Sequence, residues 1–162
     1  MSTTFLNDFS DNTKVWVYQS PRPFSVQELA WINEEAARFT SGWNAHGAKM
    51  KSSIQVLHDR FLVIASDQDF AANSGCSIDS MVGFVRAVQT NTGLNLMDRM
   101  LVYYEKDGEV HPFHFQETGK LVQEGVLTED TIVFNPLVDS KPTFEKTWRA
   151  PLKSSWLARF AS

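Results

Sequence analysis

The stretch Ser52-Ser-Ile-Gln-Val-Leu-His-Asp-Arg-Phe-Leu-Val-Ile-Ala65 decides the fold. Its apolar segments, Ser52 to Leu57 and Phe61 to Ala65, predict two β-strands that turn at His58-Asp59. The second segment is the longest aliphatic run of the chain, and it is far shorter than the ~20 residues that span a membrane. The centre of the chain therefore predicts a hairpin of two strands and no membrane-spanning segment.

Helices are predicted on both sides of this hairpin. Upstream, Ser25 is placed to cap a helix whose third residue is Glu28, which is the arrangement of a capping box. Downstream, apolar residues at helical spacing predict a second helix that begins at about Ser77 and ends before Gly93. The order helix, strand, strand, helix then needs only an outer strand on each side.

The outer strands complete an α+β fold. Val15 to Gln19 predicts the first strand, and Asp107-Gly108 predicts a tight hairpin between Met100–Glu105 and Val110–Phe115. The first six elements then have the βαββαβ order of ferredoxin-like domains. We expect a largely antiparallel sheet with helices packed on one face. Three further elements follow: a second hairpin strand placed at an edge by Pro112, a short helix at Glu117–Glu124 and a strand at Thr131–Phe134.

Length and charge predict one domain with a basic tail. The chain has 162 residues, with no repeat or flexible linker to divide it, so we expect a single domain over 1–162. Residues 1–13 are polar and predict a poorly ordered lead-in. Residues 137–162 contain five basic and two acidic residues, whereas residues 1–136 contain ten basic and seventeen acidic residues. This contrast predicts an irregular basic tail packed on an acidic body.

Composition and missing motifs exclude several classes of protein. A net charge of −4 argues against a nucleic-acid binder, and a single cysteine argues against disulfides and thiolate-rich zinc sites. The N-terminus lacks the features of a signal peptide, so we expect a cytoplasmic protein that does not associate with membranes. The chain has no P-loop, no Gly-x-Gly-x-x-Gly motif and no Gly-x-Ser-x-Gly motif. We therefore predict no cofactor.

The segment Asn73-Ser-Gly-Cys-Ser-Ile-Asp79 is the first candidate site. A thiol at a helix start is biased toward thiolate, and Gly75 permits close approach of a ligand, so Cys76 is a candidate nucleophile or part of an anion pocket. The structural alternative makes Ser77 the N-cap, Asp79 a partner of the helix dipole and Cys76 a small buried side chain. This alternative is favoured.

The segment Trp43-Asn-Ala-His-Gly47 is the second candidate. His46 is a possible general base for Cys76, with Asp79 or Asp67 orienting its ring, although a structural hydrogen bond beside Trp43 is favoured. Asp67 also follows a strand, where an Asx turn is the favoured interpretation.

Three further polar residues are candidate ligand or metal contacts. Arg99 forms an ion pair with Asp98 or clamps an anionic ligand. His111 and His114 point to opposite strand faces, and no metal site is predicted.

Together these segments resemble a family of functionally uncharacterised small bacterial proteins. The resemblance extends over nearly the whole chain, and its most specific elements are the Trp-x-Ala-His-Gly pattern at Trp43 and the Gly-Cys-Ser-Ile-Asp pattern at Gly75. Members are often described as ABC transporter ATPases, an activity for which this chain lacks the P-loop. The resemblance implies that Trp43, His46, Cys76, Ser77 and Asp79 form one group.

Three hypotheses follow from the sequence. The favoured one is a non-catalytic domain that binds a small anionic molecule or a protein partner through Trp43, Gly75, Ser77, Asp67 and Arg99. The alternative is a thiol-dependent hydrolase or transferase with Cys76 as nucleophile, His46 as base and Asp79 as orienting group. A third assigns these residues structural roles and places function in self-association. The oligomeric state is left open.

Overall fold

The computed structural model describes residues 4–162, which form an α+β fold. The predicted fold class is confirmed. The described residues contain nine strands and four α-helices: β1 (Thr13–Gln19), α1 (Val26–Gly42), β2 (Asn44–Ala45), β3 (Ala48–Lys49), β4 (Ser52–Leu57), β5 (Phe61–Asp67), α2 (Gly75–Thr92), β6 (Leu101–Lys106), β7 (Glu109–His114), α3 (Thr118–Gln123), β8 (Ile132–Phe134), α4 (Lys141–Thr147) and β9 (Arg149–Pro151).

The strands are divided between two antiparallel sheets and a small hairpin. The first sheet has the order β1-β5-β4, the second has the order β7-β6-β8-β9, and β2 pairs with β3. The expected single sheet is therefore corrected, because β6 joins the second sheet and does not extend the first. The predicted hairpin with Lys106 opposite Glu109 is confirmed, and β7, which contains Pro112, lies at an edge as expected.

Burial of β5 on both faces explains the two sheets. All seven residues of β5 are buried. Leu62 and Ile64 pack toward α1 and α2, whereas Phe61, Val63 and Ala65 pack toward the second sheet. Burying each large apolar side chain stabilises the fold by about 1.5–3 kcal/mol. The second face of β5 therefore requires its own cover, which β6 and its neighbours provide.

The C-terminal region is more regular than predicted. Residues 137–162 contain α4, β9 and two short 3-10 helices, Leu152–Ser154 and Trp156–Phe160. Phe144 and Trp148 are buried between the sheets, while Leu152 and Leu157 cover the outer face of the second sheet. The predicted irregular tail is thus corrected to an ordered layer that packs on the body.

The N-terminal segment also differs from the prediction. Residues 1–3 lie outside the described residues, but Leu6 and Phe9 are buried between the sheets. Lys141, itself buried, donates a hydrogen bond to the main-chain carbonyl of Phe9 (2.7 Å). The expectation of a poorly ordered lead-in is therefore wrong for residues 5–13, because their two apolar side chains fill the core.

The predicted capping box of α1 is confirmed. Ser25 Oγ accepts the N–H of Glu28 (3.1 Å), and Glu28 Oε1 accepts the N–H of Ser25 (2.8 Å). The hydrogen bond from Arg22 and that from Ser25 lower the pKa of Glu28 to about 2. Because this pKa lies below its ordinary value, the stabilising effect of the carboxylate is complete above that value and is lost as the pH falls toward 2.

Replacing Ser25 by alanine should lower the free energy of unfolding by about 1 kcal/mol, because the N–H of Glu28 loses its acceptor. Urea denaturation at neutral pH measures this loss. Ser41→Ala is the matched control, since the Ser41 hydroxyl donates to a carbonyl within α1 and does not cap the helix. Equal losses in the two variants would contradict the assigned role of the cap.

No helix among residues 4–162 combines the length and the hydrophobicity that crossing a membrane requires.

Candidate functional site

Two serine side chains cap the start of α2. The predicted N-cap is corrected from Ser77 to Ser74, whose Oγ accepts the N–H of Ser77 (3.0 Å). In return, Ser77 Oγ accepts the N–H of Ser74 (2.8 Å) and a hydrogen bond from Asn73 Nδ2 (3.0 Å). Ser77 is buried, so its hydroxyl is committed to holding the helix start.

Trp43 is brought to the start of α2, as its predicted grouping with Ser77 requires. Its indole Nε1 donates to the main-chain carbonyl of Ser77 (2.8 Å), and its ring packs against Phe39 with centroids 5.1 Å apart. Only 2% of Trp43 is exposed. The contact therefore joins α1 to α2 within the core and offers little surface to a ligand.

His46 lies at the tip of the β2–β3 hairpin. His46 and Gly47 have φ angles of 53° and 80°, the left-handed conformation of a two-residue hairpin turn. His46 is exposed and makes no hydrogen bond within residues 4–162. The structure therefore does not contain the structural hydrogen bond that the sequence favoured for this ring.

Cys76, Gly75 and Asp79 occupy the exposed face of the first turns of α2. Cys76 is a free, exposed thiol, which corrects the expectation of a small buried side chain. Within the described part of the chain, no hydrogen bond joins Cys76 to His46 or Asp79. A Cβ on Gly75 would meet nothing within 4 Å, so no close approach requires a glycine there.

Asp67 is buried and holds the N-terminal segment in place. Its carboxylate accepts hydrogen bonds from the Ser10 hydroxyl (2.6 Å), the Ser10 N–H (2.9 Å) and the Asp69 N–H (3.0 Å). Burial opposes ionisation, but these hydrogen bonds together lower the pKa of Asp67 below its ordinary value. The favoured Asx-turn interpretation is confirmed, and the side chain faces the fold rather than a ligand.

Arg99 lies on a groove of about 520 Å³, which we name the β1 groove. The groove is bounded by β1, by residues 96–99 after α2 and by residues 136–139. Arg99 is exposed and forms no ion pair within residues 4–162, because Asp98 instead accepts the N–H of Met100 (2.9 Å). The guanidinium is therefore available to an anionic group.

Apolar side chains form most of the lining. Trp16, Tyr18 and Val82 contribute to it, as does Leu137, which is 59% exposed. Burial raises the pKa of the Tyr18 hydroxyl, although the nearby positive charge of Arg99 acts in the opposite direction. The β1 groove thus combines an apolar wall with one cation, Arg99, and two carboxylates, Asp98 and Asp139. No three His, Cys, Asp or Glu side chains of residues 4–162 group so as to hold a metal.

The edge of β1 forms part of this groove. The sequence predicted the strand, but the order of strands in a sheet depends on contacts distant in sequence. The apolar Pro136-Leu-Val138 stretch, at the start of the predicted tail (137–162), was the one local signal for the opposite wall.

Comparison of the chain with models of protein families, with curated proteins and with solved structures finds no match. The resemblance to small bacterial proteins stays a prediction.

Proposed function

We propose that the protein is a non-catalytic binding domain and that the β1 groove is its binding site. The observation that carries this proposal is the guanidinium of Arg99, which has no ion pair within residues 4–162 and lies on an apolar groove of about 520 Å³. Clefts of this size with a few polar groups are typical ligand sites. The ligand is amphipathic: an apolar body contacts the walls and a negatively charged group pairs with Arg99.

The side chains that line the groove favour binding over catalysis. They include two carboxylates, Asp98 and Asp139, but no histidine, cysteine, serine, threonine or lysine. Nucleophilic catalysis needs a nucleophile within hydrogen-bond reach of a base. The thiol of Cys76 lies outside this lining, so the groove supports recognition of a ligand without a covalent step.

Removing the charge of Arg99 should weaken binding of an amphipathic anion. We expect Arg99→Gln to bind anilinonaphthalene sulfonate about five- to tenfold more weakly, since the ligand loses its charged partner in a partly desolvated groove. Fluorescence titration measures the affinity. Arg86→Gln is the matched control, because Arg86 is an exposed residue of α2 that does not line the groove.

Near-ultraviolet circular dichroism must first show native packing in both variants, because partly unfolded proteins also bind this dye. Equal affinities of the wild type, Arg99→Gln and Arg86→Gln would contradict the proposed site.

A further inference from the structure

We infer that the natural ligand of the β1 groove is an extended segment of another polypeptide, which adds to the free edge of β1 as a further strand. This inference rests on the proposed function and specifies its ligand. It assigns the main chain of β1, together with Arg99, as the recognition surface.

The direction of the main-chain groups of β1 supports strand addition. Neighbouring residues of a strand direct their N–H and C=O groups to opposite edges. Val15 directs its N–H away from β5, to the carbonyl of Asp139 (3.1 Å). Val17 and Gln19 therefore also direct their main-chain N–H and C=O groups away from β5. No strand of residues 4–162 pairs with them at that edge.

One residue of the chain already pairs with this edge of β1. Lys14 and Ser140 form an isolated antiparallel bridge, so the edge of β1 accepts an extended segment at its first residues. In the register of this bridge, Asp139 and Leu137 would face Val15 and Val17. The Asp139 N–H is instead bonded to Thr143 Oγ1 (3.3 Å), and the Leu137 N–H is bonded to Asn135 Oδ1 (2.9 Å). The covering segment therefore diverges from β1, and the edge at Val17 lies open to the groove.

The walls of the groove favour a single peptide strand over a second copy of the chain. Paired strands lie about 4.8 Å apart. The edge of β1 lies between residues 96–99 and residues 136–139, and the same walls on a second copy would keep two β1 edges from approaching so closely. A lone extended segment has no such walls and fits between them.

The charge of Arg99 defines the chemistry of the peptide. Arg99, which has no ion pair within residues 4–162, favours a segment that carries a carboxylate, as a side chain or a C-terminus. The expected ligand is an extended, mainly apolar segment with an acidic group.

The test uses a phage-displayed library of random heptapeptides selected against the full chain. The enriched peptides are synthesised, and their affinities are measured by calorimetry for the wild type, Val17→Pro and Val56→Pro. Proline removes the N–H of Val17, which the sheet does not use. Val56 is the matched control, because its N–H is directed away from β5 at the opposite edge of the same sheet.

We expect Val17→Pro to weaken peptide binding at least about tenfold and Val56→Pro to leave it unchanged. Thermal unfolding establishes that both variants are folded. If Val17→Pro does not fold, an N-methyl scan of the peptide replaces it, and strand addition then predicts losses at every second residue. Equal losses for the two proline variants, or N-methyl losses without alternation, would overturn the inference.

The remaining outcomes separate this inference from the proposed function. If no peptide is enriched while Arg99→Gln still weakens dye binding, strand addition is wrong and the binding site stands. If enriched peptides fail to displace the dye, the inference is also wrong. A dimer in sedimentation that Val17→Pro converts to a monomer would make a second copy the occupant and overturn the inference.

Discussion

Replacing Phe61 by alanine is expected to lower the free energy of unfolding by about 3–5 kcal/mol. Phe61 is fully buried at the start of β5, between the two sheets. Its ring centroid lies 5.1 Å from that of Tyr103, 5.0 Å from that of Phe134 and 5.2 Å from that of Trp148. Since these rings belong to different elements, the cavity left by the substitution cannot close by a local shift.

Chemical denaturation measures this loss, provided that the free energy of unfolding falls with denaturant concentration at the same slope in the wild type and in the variant. Phe70→Ala is the matched control, because Phe70 is 65% exposed and its removal should change stability by less than about 0.5 kcal/mol. A loss below about 1 kcal/mol for Phe61→Ala would mean that β5 is not the shared core of the two sheets.

Replacing Asp67 by alanine is expected to cost about 2–3 kcal/mol, because the donors of Ser10 and Asp69 lose their acceptor in a buried place. The loss should be accompanied by faster amide hydrogen exchange in residues 5–12, which this carboxylate anchors. Asp69→Ala is the control, since Asp69 accepts only an exposed hydrogen bond from Asn12. Equal effects of the two substitutions would contradict the anchoring role.

The effect of Asp67 should also depend on pH. Its native pKa lies below the ordinary value of 3.8, so the unfolded state binds the proton more readily. The stabilisation is therefore complete above pH 3.8 and is lost as the pH falls through the native pKa. The difference in stability between the wild type and Asp67→Ala should shrink over that acidic range, and a constant difference would contradict the assignment.

Elements with local signals were predictable from the sequence. Ser25 and Glu28 form their capping box within four residues, and Asp107-Gly108 forms a turn whose conformation few other residues adopt. The division of the strands into two sheets was not predictable in this way. It depends on burial of both faces of β5, and that burial requires strands about forty to ninety residues further along the chain.

The candidate site was predicted only in part. The resemblance grouped Trp43 with Ser77, and a hydrogen bond joins these two residues, but the chemistry there serves the helix start and the core. Of the predicted ligand-binding residues, Arg99 alone lines the β1 groove. The groove joins three segments that are distant in sequence, so neither spacing nor composition could reveal it. In the N-terminal segment, the apolar residues Leu6 and Phe9 indicated a buried segment, but the prediction followed the polar composition of their neighbours.

We propose that ligands bind in the β1 groove. The most direct measurement is a map of amide chemical-shift changes as anilinonaphthalene sulfonate is added to isotope-labelled protein. We expect the largest changes in β1, in residues 96–99 and in residues 137–139. Changes concentrated instead at His46 and Cys76, with the β1 groove unaffected, would contradict it.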